Sequence, residues 1–197
     1  MLDKVLWRVS LAMARMGGAL FVATALLVSA EVILRKTGIV TFSVGTELSS
    51  YALAIAATWS FPLVLMVRGH VRIDIVSEQL PGRPRALLNV LAVASLAAVG
   101  LVLSWSALLT LRTSLELNAV SNTTLAAPLW IPQGLWLTGL LWFTVVAIVR
   151  TVVLVVAFLR NDLALIDQLA APPSADAEAD AAAQEARSRL ALDEAGR

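Results

Sequence analysis

Four long apolar stretches, separated by short polar segments, fill most of the chain. They cover residues 16–34, 48–67, 86–111 and 132–159. A lipid core about 30 Å thick takes about 20 residues of helix to cross, because an α-helix rises about 1.5 Å per residue. Each stretch meets or nearly meets that length, and ionisable side chains are rare inside it. The pattern predicts an all-α integral membrane protein with four transmembrane helices.

The residues after the fourth stretch differ in composition. Residues 160–171 mix apolar and acidic positions and suit a segment that lies along the inner membrane surface. From residue 172 the sequence is rich in alanine and acidic residues, with little apolar surface to bury. We therefore expect a four-helix membrane domain over residues 1–171 and a disordered cytoplasmic tail over residues 172–197.

Composition narrows the possible functions. A formal net charge of +1 offers no basic field for a nucleic acid. The absence of cysteine excludes disulfides, thiolate metal sites and a cysteine nucleophile. The single histidine, His70, excludes a metal site built from several histidines of this chain. We expect no cofactor, no metal ion and no catalytic site.

The basic residues predict the orientation in the membrane. One side of the expected bilayer carries three of them, Arg35, Lys36 and Arg112. The other side carries nine before the tail: Lys4, Arg8, Arg15, Arg68, Arg72, Arg83, Arg85, Arg150 and Arg160. Because positive loops stay in the cytoplasm, both termini and the second loop are expected there, in a bacterial inner membrane.

The first stretch also fits a second interpretation. A basic leader followed by an apolar run that ends in Val28-Ser29-Ala30 is typical of a signal peptide. The run continues to Leu34, which favours a retained membrane span. Removal of this segment would leave the other spans oriented the same way, so the charge pattern alone leaves both interpretations open.

A few polar residues lie at the ends of the spans. Glu31 lies four residues before Arg35 on one helix face. A carboxylate inside a membrane span is a candidate for a functional role, and an interfacial ion pair with Arg35 is the simpler interpretation. Thr46 suits the N-cap of the second helix, with Glu47 near its positive end. Pro62 removes a backbone donor inside that helix and is expected to kink it.

Tryptophans mark both the expected boundaries and the middle of the membrane. Trp7, Trp105, Trp130 and Trp136 fall where an aromatic belt is expected. Trp59 and Trp142 fall near the middle. Packing within the chain or against lipid is the simpler interpretation for these two, and a docking surface for another membrane protein is the alternative.

The most specific motif is the second loop, Arg68-Gly69-His70-Val71-Arg72-Ile73-Asp74, which continues to Leu80-Pro81. If this loop is helical, His70 and Asp74 share one face and apolar residues form the other, as in an interfacial amphipathic segment. We predict structural or partner-contact roles for seven residues: Glu47, Trp59, Arg68, His70, Arg72, Asp74 and Trp142.

Three motifs in this order resemble the small membrane subunit of tripartite ATP-independent periplasmic (TRAP) transporters, the DctQ family. Glu47-Leu48-Ser49-Ser50-Tyr51 looks like the opening of that family's second span. The second-loop motif is similar to its cytoplasmic signature, and Leu129-Trp130-Ile131-Pro132 to the entry of its last span. The resemblance covers roughly residues 10–160.

The resemblance implies a supporting role in transport. In that family a larger multi-span membrane subunit holds the substrate and sodium sites, and a periplasmic substrate-binding protein delivers an organic acid. The small subunit enlarges the static scaffold against which the transport domain moves. The partners implied are those two proteins and the lipid bilayer.

Two other classes of function are considered. Small residues such as Ala94 and Ala98 on one face suit a stand-alone homo-oligomeric channel or carrier. A membrane enzyme would need a nucleophile and a base, and His70 beside Asp74 is its only histidine base. The scarcity of polar groups inside the spans favours the supporting role over both, because an anion carrier needs buried polar contacts.

Overall fold

The computed structural model describes residues 2–38, 44–69, 80, 82–123, 125–170, 183–184 and 186–188. Its five named helices are α1 (Leu2–Lys36), α2 (Gly45–Met66), α3 (Arg83–Glu116), α4 (Trp130–Leu159) and the short α5 (Leu163–Ala170). The first four are long and apolar enough to cross a membrane, which confirms the predicted fold class. The amphipathic segment expected in the second loop and nearly all of the expected tail lie outside the described residues.

The four long helices pack side by side in the order α1, α2, α4, α3. The pairs α1–α2 and α3–α4 make the most extensive contacts, and α2 packs on α4 between them. Within the described ranges, α3 makes no extensive contact with α1 or α2. The membrane domain is therefore a row one helix thick, and α5 lies across one end of α3 and α4.

Small residues allow close backbone approach at each contact along this row. A Cβ atom added to a glycine at these positions would lie 3.1 Å or less from an atom of the neighbouring helix. Such contacts suit membrane helices, which associate by close packing because lipid gives them no hydrophobic drive. The pairs are Gly17–Ala56 (α1–α2), Gly139–Thr58 (α2–α4) and Gly100–Thr144 (α3–α4).

Helix α1 begins far before the first apolar stretch. Its 35 residues span about 52 Å, well beyond the lipid core. The first turns are amphipathic: Leu6 and Ser10 are buried, while the charged residues Asp3, Lys4 and Arg8 are exposed. Leu6 joins an apolar cluster with Leu65 of α2 and Val146 of α4. Burial of this face explains why the helix extends beyond the apolar stretch.

Helices α2, α3 and α4 are each followed by one residue in the left-handed region of backbone conformation, where the chain turns out of the helix. Asn118 after α3 and Asn161 after α4 have φ of 47° and 57°. Asparagine adopts this conformation more readily than other non-glycine residues. At the end of α2 the position is occupied by Arg68, with φ of 60°, although Gly69 follows it. An arginine here carries a conformational cost that an asparagine or glycine avoids.

One end of the row carries the charged side chains that the described structure pairs. Arg150 of α4 lies 3.4 Å from Asp3 of α1, and Arg85 of α3 lies 3.9 Å from Asp167 of α5. This is the end where α1 and α3 begin and α2 and α4 finish, and we call it the basic end. The opposite end holds residues 117–129, and we call it the loop end.

Candidate functional site: polar contacts along the helix row

Among the described residues, the largest polar cluster lies at the loop end, around Glu47. This carboxylate is in the first turn of α2 and its residue is only 9% exposed. Tyr51, one turn later, donates its hydroxyl to Glu47 Oε1 at 2.7 Å. Thr123, from the α3–α4 connection, donates to Glu47 Oε2, and Ser121 lies 3.0 Å from Thr123. Glu47 therefore fastens this connection to α2.

The α3–α4 connection is itself folded. Val120 and Pro128 form an antiparallel bridge, and the Leu129 N–H donates to the Ala119 carbonyl at 3.0 Å. The Ser121 hydroxyl accepts the Ala127 N–H at 3.1 Å. These bonds hold the loop in the shape that directs Thr123 to Glu47.

A second carboxylate, Glu31, completes the start of α2 from a neighbouring helix. Helix α2 begins at Gly45, and its N-cap residue Val44 makes no side-chain cap. The Val44 N–H donates to Glu31 Oε2 at 3.3 Å, and Gly45 leaves room for that carboxylate. The expected cap by Thr46 is therefore wrong. The expected Glu31–Arg35 ion pair is not among the salt bridges of the described residues.

Trp59 and Trp142, the two tryptophans expected near the middle of the membrane, form hydrogen bonds to other helices of the row. Trp59 of α2 donates its indole N–H to the Leu135 carbonyl of α4 at 3.0 Å and lies 3.2 Å from Thr138 Oγ1. Trp142 of α4 donates to Ser10 Oγ of α1 at 3.0 Å. Both indole groups thus connect helices of the same chain.

A buried hydroxyl pair connects the other helices. Ser104 of α3 and Thr144 of α4 lie 2.9 Å apart, and Thr144 also donates to the Leu140 carbonyl at 2.8 Å. Such bonds satisfy hydroxyl groups that lipid cannot solvate. Two side-chain atoms, Asn89 Nδ2 and Gln133 Oε1, are buried without a hydrogen-bond partner among the described residues.

The predicted site residues do not converge on one place. Glu47 lies at the loop end, Trp59 and Trp142 lie in the middle, and Arg68 follows α2 at the basic end. His70, Arg72 and Asp74 lie outside the described residues. Within the described ranges, no group of three histidine, aspartate or glutamate side chains could hold a metal ion.

Sequence reasoning missed the partners of these residues. Thr123, Ser10 and Thr138 are ordinary hydroxyl residues in sequence, and only the pairing of helices brings them to Glu47, Trp142 and Trp59. One local signal was present for Glu47. Tyr51 lies four residues later and so shares its helix face.

A row of four apolar helices, tied together by its own polar side chains, defines a multi-pass membrane protein. Residues 24–157 match the family model described as "Tripartite ATP-independent periplasmic transporters, DctQ component". The chain therefore belongs to the DctQ family and is a small subunit of a TRAP transporter. No curated protein and no solved structure gave a match.

Proposed function

We propose that this chain is the scaffold subunit of a sodium-driven TRAP transporter that imports an organic acid. A larger membrane subunit carries the substrate and sodium sites, and a periplasmic binding protein delivers the solute. Membership of the DctQ family supports the presence of these two partner subunits. The sodium coupling and the carboxylate class rest on what is typical of the family.

One structural observation gives the strongest support for the scaffold role. The indole, hydroxyl and carboxylate groups described above bond from helix to helix within the row. Groups used in this way hold the row rigid, as a static support requires. The polar groups of a carrier instead point into a cavity that the substrate enters.

The basic end is proposed to face the cytoplasm. Among the described residues, Lys4, Arg8, Arg83, Arg85, Arg150 and Arg160 lie near it, whereas Arg35, Lys36 and Arg112 lie near the loop end. The positive-inside rule then places the loop end in the periplasm of a bacterial inner membrane.

The second loop is proposed to contact the large subunit, because the motif that begins at Arg68 is similar to the cytoplasmic signature of the family. A left-handed arginine costs roughly 1 kcal/mol, which Asn118 and Asn161 avoid at the equivalent positions. The proposed contact extends to His70, Arg72 and Asp74, which follow in the same motif.

Co-purification from the native host tests this assembly. A tagged chain is expected to bring down a larger multi-span membrane subunit in a 1:1 ratio in mild detergent. Arg68→Asn should reduce the recovered large subunit several-fold while leaving the unfolding temperature of the chain unchanged or slightly higher. Asn161→Gly, which changes another left-handed position at the same end, should leave recovery unchanged.

Recovery of the chain alone, as a monomer or a homo-oligomer, would contradict the proposed assembly and favour a stand-alone channel or carrier. Equal recovery with Arg68→Asn and Asn161→Gly would contradict the contact role of Arg68 alone.

A further inference from the structure

A cleft of about 450 Å³ opens at the basic end, beside the first turns of α1. We call it the basic cleft. Lys4, Trp7 and Arg8 of α1 form one wall, and Arg150 of α4 forms another. Met66 of α2 and Leu169 of α5 add apolar surface. Of the three cations around this opening, only Arg150 has an acidic partner in the helix contacts described above.

The charges in the cleft are only partly neutralised. Its one acidic residue, Asp3, lies 3.4 Å from Nη2 of Arg150. Neither Lys4 nor Arg8 forms a salt bridge with an acidic side chain of the described residues. Positions 4 and 8 share a helix face, so both cations project from the same side of α1. The cleft therefore carries an excess of two positive charges.

Arg150 is placed to bind an oxyanion. Its side chain is only 13% exposed, so water screens it weakly. A guanidinium has five N–H donors in a planar fork, and Asp3 engages one of its terminal nitrogens. The donors that remain suit the paired oxygens of a phosphate group.

The depth and the mixed lining of the cleft favour a lipid over a soluble anion. The cleft lies between Arg150, the one charged residue within α4, and the charged first turns of α1, which precede the apolar stretch of that helix. Trp7 on its wall is typical of the level of lipid head groups. The apolar side chains of Met66 and Leu169 in the same cleft offer surface for the glycerol backbone and the start of an acyl chain of a lipid, and inorganic and sugar phosphates have no acyl chain to use it.

We propose that the basic cleft binds the phosphate of an anionic phospholipid from the surrounding bilayer. Basic pockets between membrane helices on the cytoplasmic side recognise such head groups by charge. The lipid would join α1 to α4 where direct contact between these two helices is limited. This inference is independent of the transport function.

Native mass spectrometry of the full-length chain in a neutral detergent tests the site. Phosphatidylglycerol is titrated against phosphatidylcholine as the zwitterionic lipid and glycerol 3-phosphate as the soluble phosphate. We expect phosphatidylglycerol to bind at least tenfold more tightly than either. Removal of two cations at a membrane surface should weaken its binding by roughly tenfold or more, so this is the loss expected for Lys4→Gln/Arg8→Gln.

The matched control is Arg35→Gln/Lys36→Gln, which removes the same two residue types from the other end of α1. It should change phosphatidylglycerol affinity less than twofold. Wild-type protein gives a second measurement that needs no substitution. Raising the salt from 50 to 500 mM should weaken phosphatidylglycerol binding and leave phosphatidylcholine binding unchanged.

Three results would each overturn the proposal. The first is equal affinity for phosphatidylglycerol and phosphatidylcholine. The second is equal loss in the two double variants. The third is binding of glycerol 3-phosphate as tight as that of the lipid, which would assign the cleft to a soluble phosphate.

Discussion

At the scale of single residues, Glu47 shows how a polar group serves this fold. Its position in the first turn of α2 is visible in sequence, and its nearby tyrosine is too. Its second donor, Thr123, is 76 residues away and lies in a loop that only the α3–α4 packing places above α2. The carboxylate therefore joins two helix hairpins that have no turn in common.

Replacement of Glu47 by glutamine should loosen that junction. An amide is uncharged and has one acceptor oxygen in place of two, so neither hydroxyl bonds to a charged group any longer, and either Tyr51 or Thr123 must turn to accept from the amide N–H₂. A hydrogen bond to a charged group contributes about 1.5–3 kcal/mol, and we expect a loss of about 2 kcal/mol in the free energy of unfolding. Thermal unfolding measures the loss, and protease cleavage within residues 117–129 should become faster.

Glu116→Gln is the matched control, since Glu116 is an exposed acid at the end of α3. Its effect should stay within about 0.5 kcal/mol, as for most surface substitutions. Equal destabilisation by both substitutions would mean that Glu47 acts through general surface charge and not through these two bonds.

The cap of α2 shows where residue-level prediction fails. Helix-capping rules use residues next to the helix start and so favoured Thr46. The group that the structure brings to the Val44 N–H is Glu31, thirteen residues earlier on the facing helix. The same residue was expected to pair with Arg35, because a local rule can only consider neighbours on its own helix. Both errors come from contacts between helices.

At the scale of helices, length and composition are largely predictable and packing is not. The apolar stretches identified all four membrane helices, because lipid requires every backbone group to be bonded within the segment. The apolar stretches underestimated the length of α1, because its first turns are stabilised by burial of Leu6 and Ser10 against other helices. The order of the helices in the row was not predicted, since glycine positions alone do not name their partners.

Helix α4 lies close against α2 at Gly139. A Cβ atom there would lie 2.7 Å from Trp59 Cδ1 and 2.8 Å from the Thr58 backbone carbon. Gly139→Ala must therefore displace one helix, and we expect a loss of about 1–3 kcal/mol, as for overpacking. Thermal unfolding in detergent measures it.

Gly134→Ala provides the comparison on the same helix. In the described part of the chain, no atom of another helix lies within 4 Å of the Cβ that alanine would add there. The substitution should be neutral or stabilising by up to about 1 kcal/mol, since alanine favours helix more than glycine does. If Gly139→Ala and Gly134→Ala have the same free energy of unfolding, the result would contradict the close contact between α2 and α4 at Gly139.

At the scale of the whole molecule, the four spans place both ends of the membrane domain on the same side. The charge distribution predicts that this side is the cytoplasm. The natural absence of cysteine makes the orientation simple to measure, because one introduced thiol is the only one present. Suitable exposed positions are Leu2, Asn122 and Ala183.

An impermeant thiol reagent applied to spheroplasts should label Asn122→Cys at once. Leu2→Cys and Ala183→Cys should react only after lysis. Labelling of Leu2→Cys in intact spheroplasts would reverse the orientation. Failure of Leu2→Cys to give labelled full-length protein even after lysis would favour a cleaved signal peptide over a retained α1.

The central claim is that the row of helices supports a transporter and does not itself carry the solute. Sodium-driven uptake into proteoliposomes tests it most directly, with the radiolabelled carboxylate that the associated periplasmic protein binds. We predict uptake only when this chain, the large subunit and the binding protein are all present, and none with this chain alone. Accumulation of the carboxylate by liposomes that contain only this chain would contradict the claim.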